Sequence, residues 1–294
     1  MSPLSCILRI YKTSKQRTKH TMIRIHSNSP NNQVHHVSKW RFPDGCRGVN
    51  VYSMSGHANH ENVVIVARLS TSDDIMSLLM TVDAIRRMYP SIPLSLYSPY
   101  IPYGRQDRVC NDGDSLSIAV MANLINSCGF SKVTTLDVHS PVTLALINNI
   151  VSTDQYQIKI PDYSEYDVVV APDQGAVHRA RSYAVRWGIS EVCSASKVRN
   201  LRTGEIISYE LSGDVAGKKV LVVDDILDGG RTFEELSTQL KKAGCNNASL
   251  FVTHGMFTKG FDVCKLFETV YTTNSYRDFD DVYVKNLKVI DVYK

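Results

Sequence analysis

Val63-Val64-Ile65-Val66-Ala67 is a short apolar run of the kind that forms a buried strand. A polar stretch follows, in which Asp73 and Asp74 offer N-cap chemistry, and then Ile75, Leu78, Leu79, Val82 and Ile85 recur at helical spacing. The pattern predicts strand, loop and helix. Leu94-Ser95-Leu96-Tyr97 predicts the next strand, Leu116 to Ile125 a well-buried helix, and Val133 to Val138 a further strand. The later part of the chain repeats the scheme. Val168-Val169-Val170 reads as a strand, and Val177, Ala180, Ala184 and Trp187 lie on one face of a helix that Gly188 stops. Val220 to Val223 is the central strand, Phe233, Leu236, Leu240 and Ala243 mark a helix ended by Gly244, and Leu250-Phe251-Val252 is a strand again.

The segments Val63 to Met88 and Val220 to Gly244 match in outline, and each leads to a strand with an aromatic-containing turn behind it. This repetition predicts an α/β fold of two similar domains, each a mostly parallel sheet flanked by helices. Asn148, Asn149, Asp154, Gln155 and Gln157 interrupt the pattern, so the boundary is expected near 150–165. The division is drawn as 22–157 and 158–294. Residues 1–21 stand apart and are expected to be a disordered basic tail, a composition that organelle transit peptides share.

Charge changes the picture less than its total suggests. The formal net charge is +4, but residues 1–21 hold Arg9, Lys12, Lys15, Arg17 and Lys19 and no acid. Without those five bases, 28 basic residues face 29 acidic ones, which argues against a broad nucleic-acid footprint. No run approaches the roughly 18 to 20 apolar residues that a membrane helix needs. The seven cysteines are scattered without a C-x-x-C pair, so a zinc site or disulfide framework is not expected and the cytoplasm is the expected compartment.

The segment Val220-Leu-Val-Val-Asp224-Asp225-Ile-Leu-Asp228-Gly229-Gly230-Arg231-Thr232 carries the strongest chemical signal. A strand runs into two carboxylates, then a glycine-rich loop, then a helix. Ligands of open α/β sheets bind at the carboxyl ends of strands, and a helix N-terminus with free N–H groups favours phosphate. The carboxylates suit sugar hydroxyls, which donate to them. A phosphorylated sugar fits, with hydroxyls on Asp224 and Asp225 and phosphate on Asp228, Gly229, Gly230, Arg231 and Thr232.

This segment resembles the binding motif shared by phosphoribosyltransferases and ribose-phosphate pyrophosphokinases. Pro102-Tyr103-Gly104-Arg105-Gln106-Asp107-Arg108 is similar to the ATP-site signature of the pyrophosphokinases, and two arginines so close together can neutralise a polyphosphate. Leu136-Asp137-Val138-His139-Ser140 resembles the segment whose histidine helps place magnesium. Pro172-Asp173-Gln174-Gly175-Ala176-Val177-His178-Arg179 resembles the pyrophosphate loop, with Asp173, Gly175 and Arg179 at its functional positions and His178 where a lysine is common. Lys197 and Arg199 match the catalytic pair that the family carries on a mobile loop. Phe42 and Asp44 match its adenine-side turn, whereas Cys46 stands in place of a glutamate.

The resemblance implies two phosphoribosyltransferase-like domains and a pyrophosphokinase acting on ATP and ribose 5-phosphate. Phe42, Asp44, Arg105, Gln106, Asp107 and Arg108 would bind ATP, and His139 and Asp173 would place Mg2+. Lys197 and Arg199 would stabilise the transition state. A homo-oligomer, dimer or hexamer, is implied, with the ATP site near a subunit interface. The family's usual C-terminal helix has no counterpart after Val289-Ile290-Asp291-Val292. Two rivals remain: a phosphoribosyltransferase that consumes the product, and a catalytically silent regulatory subunit.

Overall fold

Burial on both faces accounts for the apolar runs. The computed structural model describes residues 22–27, 34–53, 62–161, 163–199 and 206–293, which form two seven-stranded sheets. The basic tail at 1–21 lies outside the described residues. The first sheet contains β1 (Ile23–Ser27), β2 (Val34–Arg41), β3 (Arg47–Ser53), β4 (Val63–Ala67), β5 (Leu94–Tyr97), β6 (Lys132–Leu136) and β7 (Ile150–Thr153), in the order β3-β2-β1-β4-β5-β6-β7. The second contains β8 (Val168–Ala171), β9 (Glu191–Arg199), β10 (Ile206–Leu211), β11 (Lys219–Leu227), β12 (Asn247–Gly255), β13 (Val270–Thr273) and β14 (Leu287–Ile290). Its order, β10-β9-β8-β11-β12-β13-β14, repeats that of the first.

The α/β expectation holds, with one correction. The first sheet is mixed: β4 to β7 pair in parallel, but β1, β2, β3 and the β1–β4 ladder are antiparallel. The connections among β1, β2 and β3 are too short for the crossover that parallel pairing needs. In the second sheet only the β9–β10 ladder is antiparallel. A second difference concerns Lys197 and Arg199. Their backbone continues β9 and pairs with Tyr209 and Ile206 of β10, rather than leaving the strand as a loop. Their side chains lie outside the described residues.

Helices α1 (Ser72–Met88), α2 (Ser117–Ser127), α3 (Pro141–Leu146), α4 (Val177–Trp187) and α5 (Arg231–Lys242) cover these sheets. The N-cap of α1 is Thr71, not Asp73 or Asp74. Its hydroxyl accepts from the Asp74 N–H at 3.2 Å while Asp74 accepts from the Thr71 N–H at 2.9 Å, a reciprocal capping box. Gly188 ends α4 with φ +73°, as its position implies.

Period-2 alternation in β11 divides the second core. Val220 and Val222 pack with Val168, Phe233, Leu236 and Leu250 on one face, and Leu221 and Val223 with Val169, Tyr183 and Phe251 on the other. Each such burial contributes about 1.5–3 kcal/mol. The strand is thereby fixed up to its carboxyl end, where the polar residues begin.

The two halves meet through polar contacts. Arg68, 1% exposed, donates to the Asn274 carbonyl at 3.1 Å, lies 2.8 Å from Asp278 and sits 4.9 Å from the centre of the Tyr293 ring. The Tyr97 hydroxyl donates to the Val292 carbonyl at 2.7 Å.

Candidate functional site

In β11 the apolar run gives way to Asp224 and Asp225, and the chain then turns through Asp228, Gly229 and Gly230 into α5. Gly230 has φ +86°, and a Cβ there would meet Val263 at 3.2 Å. Glycine therefore lets the loop turn sharply and leaves the first N–H groups of α5 at its edge. In the parallel neighbour β8 the chain turns through Asp173 and Gly175 into α4. The Asp173 carboxylate accepts from the Ala176 N–H at 3.1 Å and fixes this turn. Strand order reverses between β8 and β11, and a crevice opens at such a point.

Loops of the first half close the other side. The loop after β5 brings Arg105, Asp107 and Arg108, and the loop after β6 brings His139. Together with Asp173, Gly175, Arg179, Asp224, Asp225 and residues 228–232 they line one cavity of about 860 Å3. Ala195 and Ser196 of β9 also line it, which puts the backbone of Lys197 beside its rim.

The charges are arranged in pairs. His139 Nδ1 donates to Asp225 Oδ2 at 2.6 Å, and this bond raises the histidine above its ordinary pKa. Burial opposes the charge of Asp225, but His139 and Arg179 outweigh it and hold the carboxyl below the usual range. Asp224 goes the other way. Its burial and the adjoining Asp225 charge push it well above the usual range. The two neighbouring carboxyls are thus shifted in opposite directions.

Arg179 lies 3.7 Å from Asp224 and 3.9 Å from Asp225, and donates to Asp137 at 3.1 Å. Burial works against its charge, but the three carboxylates keep it protonated. Arg105 donates to Asp228 at 2.8 Å across the two halves, and Thr258 donates to the other Asp228 oxygen at 2.6 Å. Those two bonds lower the Asp228 pKa. Hydrogen bonds from Ser140 and Arg108 lower that of Asp107.

Among the candidates whose side chains are described, three lie apart from the cavity lining. Phe42 and Asp44 sit on the turn between β2 and β3, where Asp44 accepts from the Cys46 N–H at 2.9 Å and Phe42 packs edge-on to Trp40. Gln106 is exposed on the loop after β5, and its carbonyl accepts from the Ile118 N–H at 3.3 Å.

Sequence reasoning missed the buried supports. Asp137, at φ +39°, accepts from Arg179 and from Thr253 at 2.6 Å, and its carbonyl faces His254 at 3.2 Å. Gln155 donates to the Asp224 carbonyl at 2.6 Å. Asp137 stands between a strand and His139 in the sequence, a signal that could have marked it. Gln155 has none, because it acts on backbone.

The donor set suits a hard divalent cation. Carboxylates of Asp173, Asp224, Asp225 and Asp228 share the cavity with His139, whose Nδ1 is held by Asp225, leaving Nε2 as its free ring nitrogen. Among the described residues no three such side chains cluster as a ready cage. Magnesium is commonly held by one or two carboxylates plus substrate phosphates.

Comparison with known proteins adds independent support. Residues 9–129 match the model of the N-terminal domain of ribose phosphate pyrophosphokinase, and residues 145–283 match the phosphoribosyl transferase domain. A ribose-phosphate pyrophosphokinase of Thermococcus kodakarensis is 33% identical over 229 residues, covering 75% of this chain and 78% of the relative. One from Mycoplasmopsis pulmonis is 27% identical over 272 residues, covering 88% and 83%. The solved phosphoribosylpyrophosphate synthetase of Mycobacterium smegmatis shares the fold, with TM-score 0.73 over 89% of this chain and 88% of that one, at 21% identity.

Proposed function

The chain belongs to the ribose-phosphate pyrophosphokinase family, and on that premise we propose that its cavity transfers the β,γ-pyrophosphate of ATP to the 1-hydroxyl of ribose 5-phosphate. The products are phosphoribosyl pyrophosphate and AMP. One observation carries the reading: the glycine loop at the N-terminus of α5 and the arginines of the first half face the same 860 Å3 cavity. A sugar phosphate on the loop and a polyphosphate beside the arginines would then be neighbours.

In this reading the 5-phosphate rests on residues 228–232, with backbone N–H groups and the Thr232 hydroxyl as donors. The ribose hydroxyls donate to Asp224 and Asp225. Arg105, Asp107 and Arg108 orient the ATP phosphates, with Gln106, Phe42 and Asp44 on the nucleotide side. Asp173, Gly175 and Arg179 border the pyrophosphate. Lys197 and Arg199 meet the charge that builds on the transferred group, a role supported by the Lys197 backbone following Ser196, which lines the cavity. His139 and Asp173 would hold magnesium, which when bound neutralises phosphoryl oxygens. The attacking hydroxyl displaces AMP at the β-phosphorus, and catalysis rests mainly on position and charge.

The working units are 22–157 on the ATP side and 158–294 on the ribose 5-phosphate side. Because Phe42 and Asp44 lie apart from the cavity lining, a second copy of the chain near the ATP site completes the nucleotide pocket in a homo-oligomer. The cytosol is the proposed compartment. All six cysteines among the described residues are free, and no described helix is long and apolar enough to cross a membrane.

The test is nucleotide analysis after mixing ATP, Mg2+ and ribose 5-phosphate without any nucleobase. AMP forms in step with phosphoribosyl pyrophosphate. A phosphoribosyltransferase would leave the mixture unchanged, and a silent subunit would bind ATP without releasing AMP.

A further inference from the structure

The segment after β12 lies against the glycine loop. The Thr258 N–H donates to the Asp228 carbonyl at 3.1 Å, and the Thr258 hydroxyl to the Asp228 carboxylate at 2.6 Å. These two bonds fix the backbone on which Lys259 stands. The Lys259 stem then runs along Gly229, its Cδ and Cε each 3.4 Å from where a Cβ of that residue would lie. The ammonium is one bond beyond Cε, so it sits beside the loop backbone. Its charge reaches Asp228, whose pKa it helps to lower.

The loop needs such a charge. A phosphate placed there would sit beside the Asp228 carboxylate, and the two anions would repel. Arg105 is engaged by Asp228 at 2.8 Å. Arg231, the loop's own arginine, turns outward to Glu235 at 2.9 Å, with its side chain 83% exposed. Among the described residues Lys259 is a cation left beside the loop, and its flexible stem lets the ammonium swing over the bound group.

We propose that Lys259 is a phosphate-recognition residue that favours a phosphorylated sugar over the free sugar at the Asp228–Thr232 loop. The assignment rests on the reading that this loop holds the 5-phosphate. Lys259 contacts the phosphoryl oxygens and takes no part in the displacement at the other end of the sugar. Its effect falls on binding of ribose 5-phosphate and leaves ATP binding alone.

The experiment compares the full-length wild-type chain with Lys259→Met, which keeps a stem on Gly229 without charge, and Lys259→Arg, which restores charge. Calorimetric titration with ribose 5-phosphate, ribose and ATP gives each affinity. Lys259→Met weakens ribose 5-phosphate binding roughly fivefold to tenfold, as loss of one charge-assisted contact predicts, and Lys259→Arg recovers most of it. ATP affinity and melting temperature stay at wild-type values. The deficit narrows as KCl rises from about 0.05 to about 0.5 M, because an exposed ammonium is screened. Unchanged ribose 5-phosphate affinity in Lys259→Met, an equal loss for ATP, or no recovery in Lys259→Arg overturns the assignment. Wild-type chain that binds ribose 5-phosphate yet releases no AMP sinks the proposed reaction and leaves Lys259 standing. Turnover with normal binding in Lys259→Met sinks only Lys259.

Discussion

His139 and Asp225 show how a single bond sets a charge state. The hydrogen bond that His139 donates to Asp225 raises the histidine, while burial, Arg105 and Arg179 act to lower it. A raised histidine stabilises the fold fully below its unfolded pKa near 6.5, and that contribution fades as pH rises through the folded value. NMR titration should therefore find His139 above the ordinary value in the wild type and below it in Asp225→Asn. Equal values in the two proteins would contradict the pairing.

Arg179 balances Asp137, Asp224 and Asp225 at once. Its replacement in Arg179→Met leaves buried carboxylates uncompensated, with an expected loss of about 3–5 kcal/mol in urea unfolding at neutral pH. Arg179 helps hold Asp225 low, so its benefit is present above the unfolded carboxyl pKa and is lost as pH falls. The difference between the two proteins should shrink on acidification, and a constant difference would argue against this cause. Lys197 makes a kinetic prediction. Lys197→Ala should lower turnover by about 100-fold or more while ribose 5-phosphate still binds, and unchanged turnover would remove it from the mechanism.

Among the elements, α5 begins where the ligand loop ends, so its first turn serves both fold and site. Gly230→Ala places a side chain at φ +86° and drives its Cβ to 3.2 Å from Val263. A loss of about 1–3 kcal/mol is expected, with weaker ribose 5-phosphate binding. Thr71→Ala, which removes the cap of α1 in the other half, should cost about 1 kcal/mol and leave binding unchanged. Denaturation and calorimetry on both variants check this contrast, and equal effects on binding would contradict it. The buried runs at β4, β8 and β11 were legible because both faces are covered, so nearly every position is apolar. The hairpins at β1 to β3 were not, since His35, His36, Lys39 and Arg41 give a strand near the sheet edge a polar appearance. In the site, Asp224 to Thr232 could be read because the loop is contiguous in sequence. The bonds from Arg179 and Thr253 to Asp137 join residues 42 and 116 positions apart, and no local pattern announces them.

At the scale of the whole molecule, two sheets of the same strand order supply the two sides of one cavity. Their relative position depends on polar contacts such as Arg68 with Asp278 and Asn274, His139 with Asp225, and Arg105 with Asp228. Two substrates held on opposite sides meet only if that alignment is kept. The central claim concerns which bond of ATP breaks, and following a label tests it most directly. With ATP labelled at the γ-phosphorus, ribose 5-phosphate and Mg2+, the label should appear in phosphoribosyl pyrophosphate, with one AMP formed for each label transferred. Label transferred as a single phosphoryl group with ADP as the partner product, or no transfer to the sugar at all, would contradict the account.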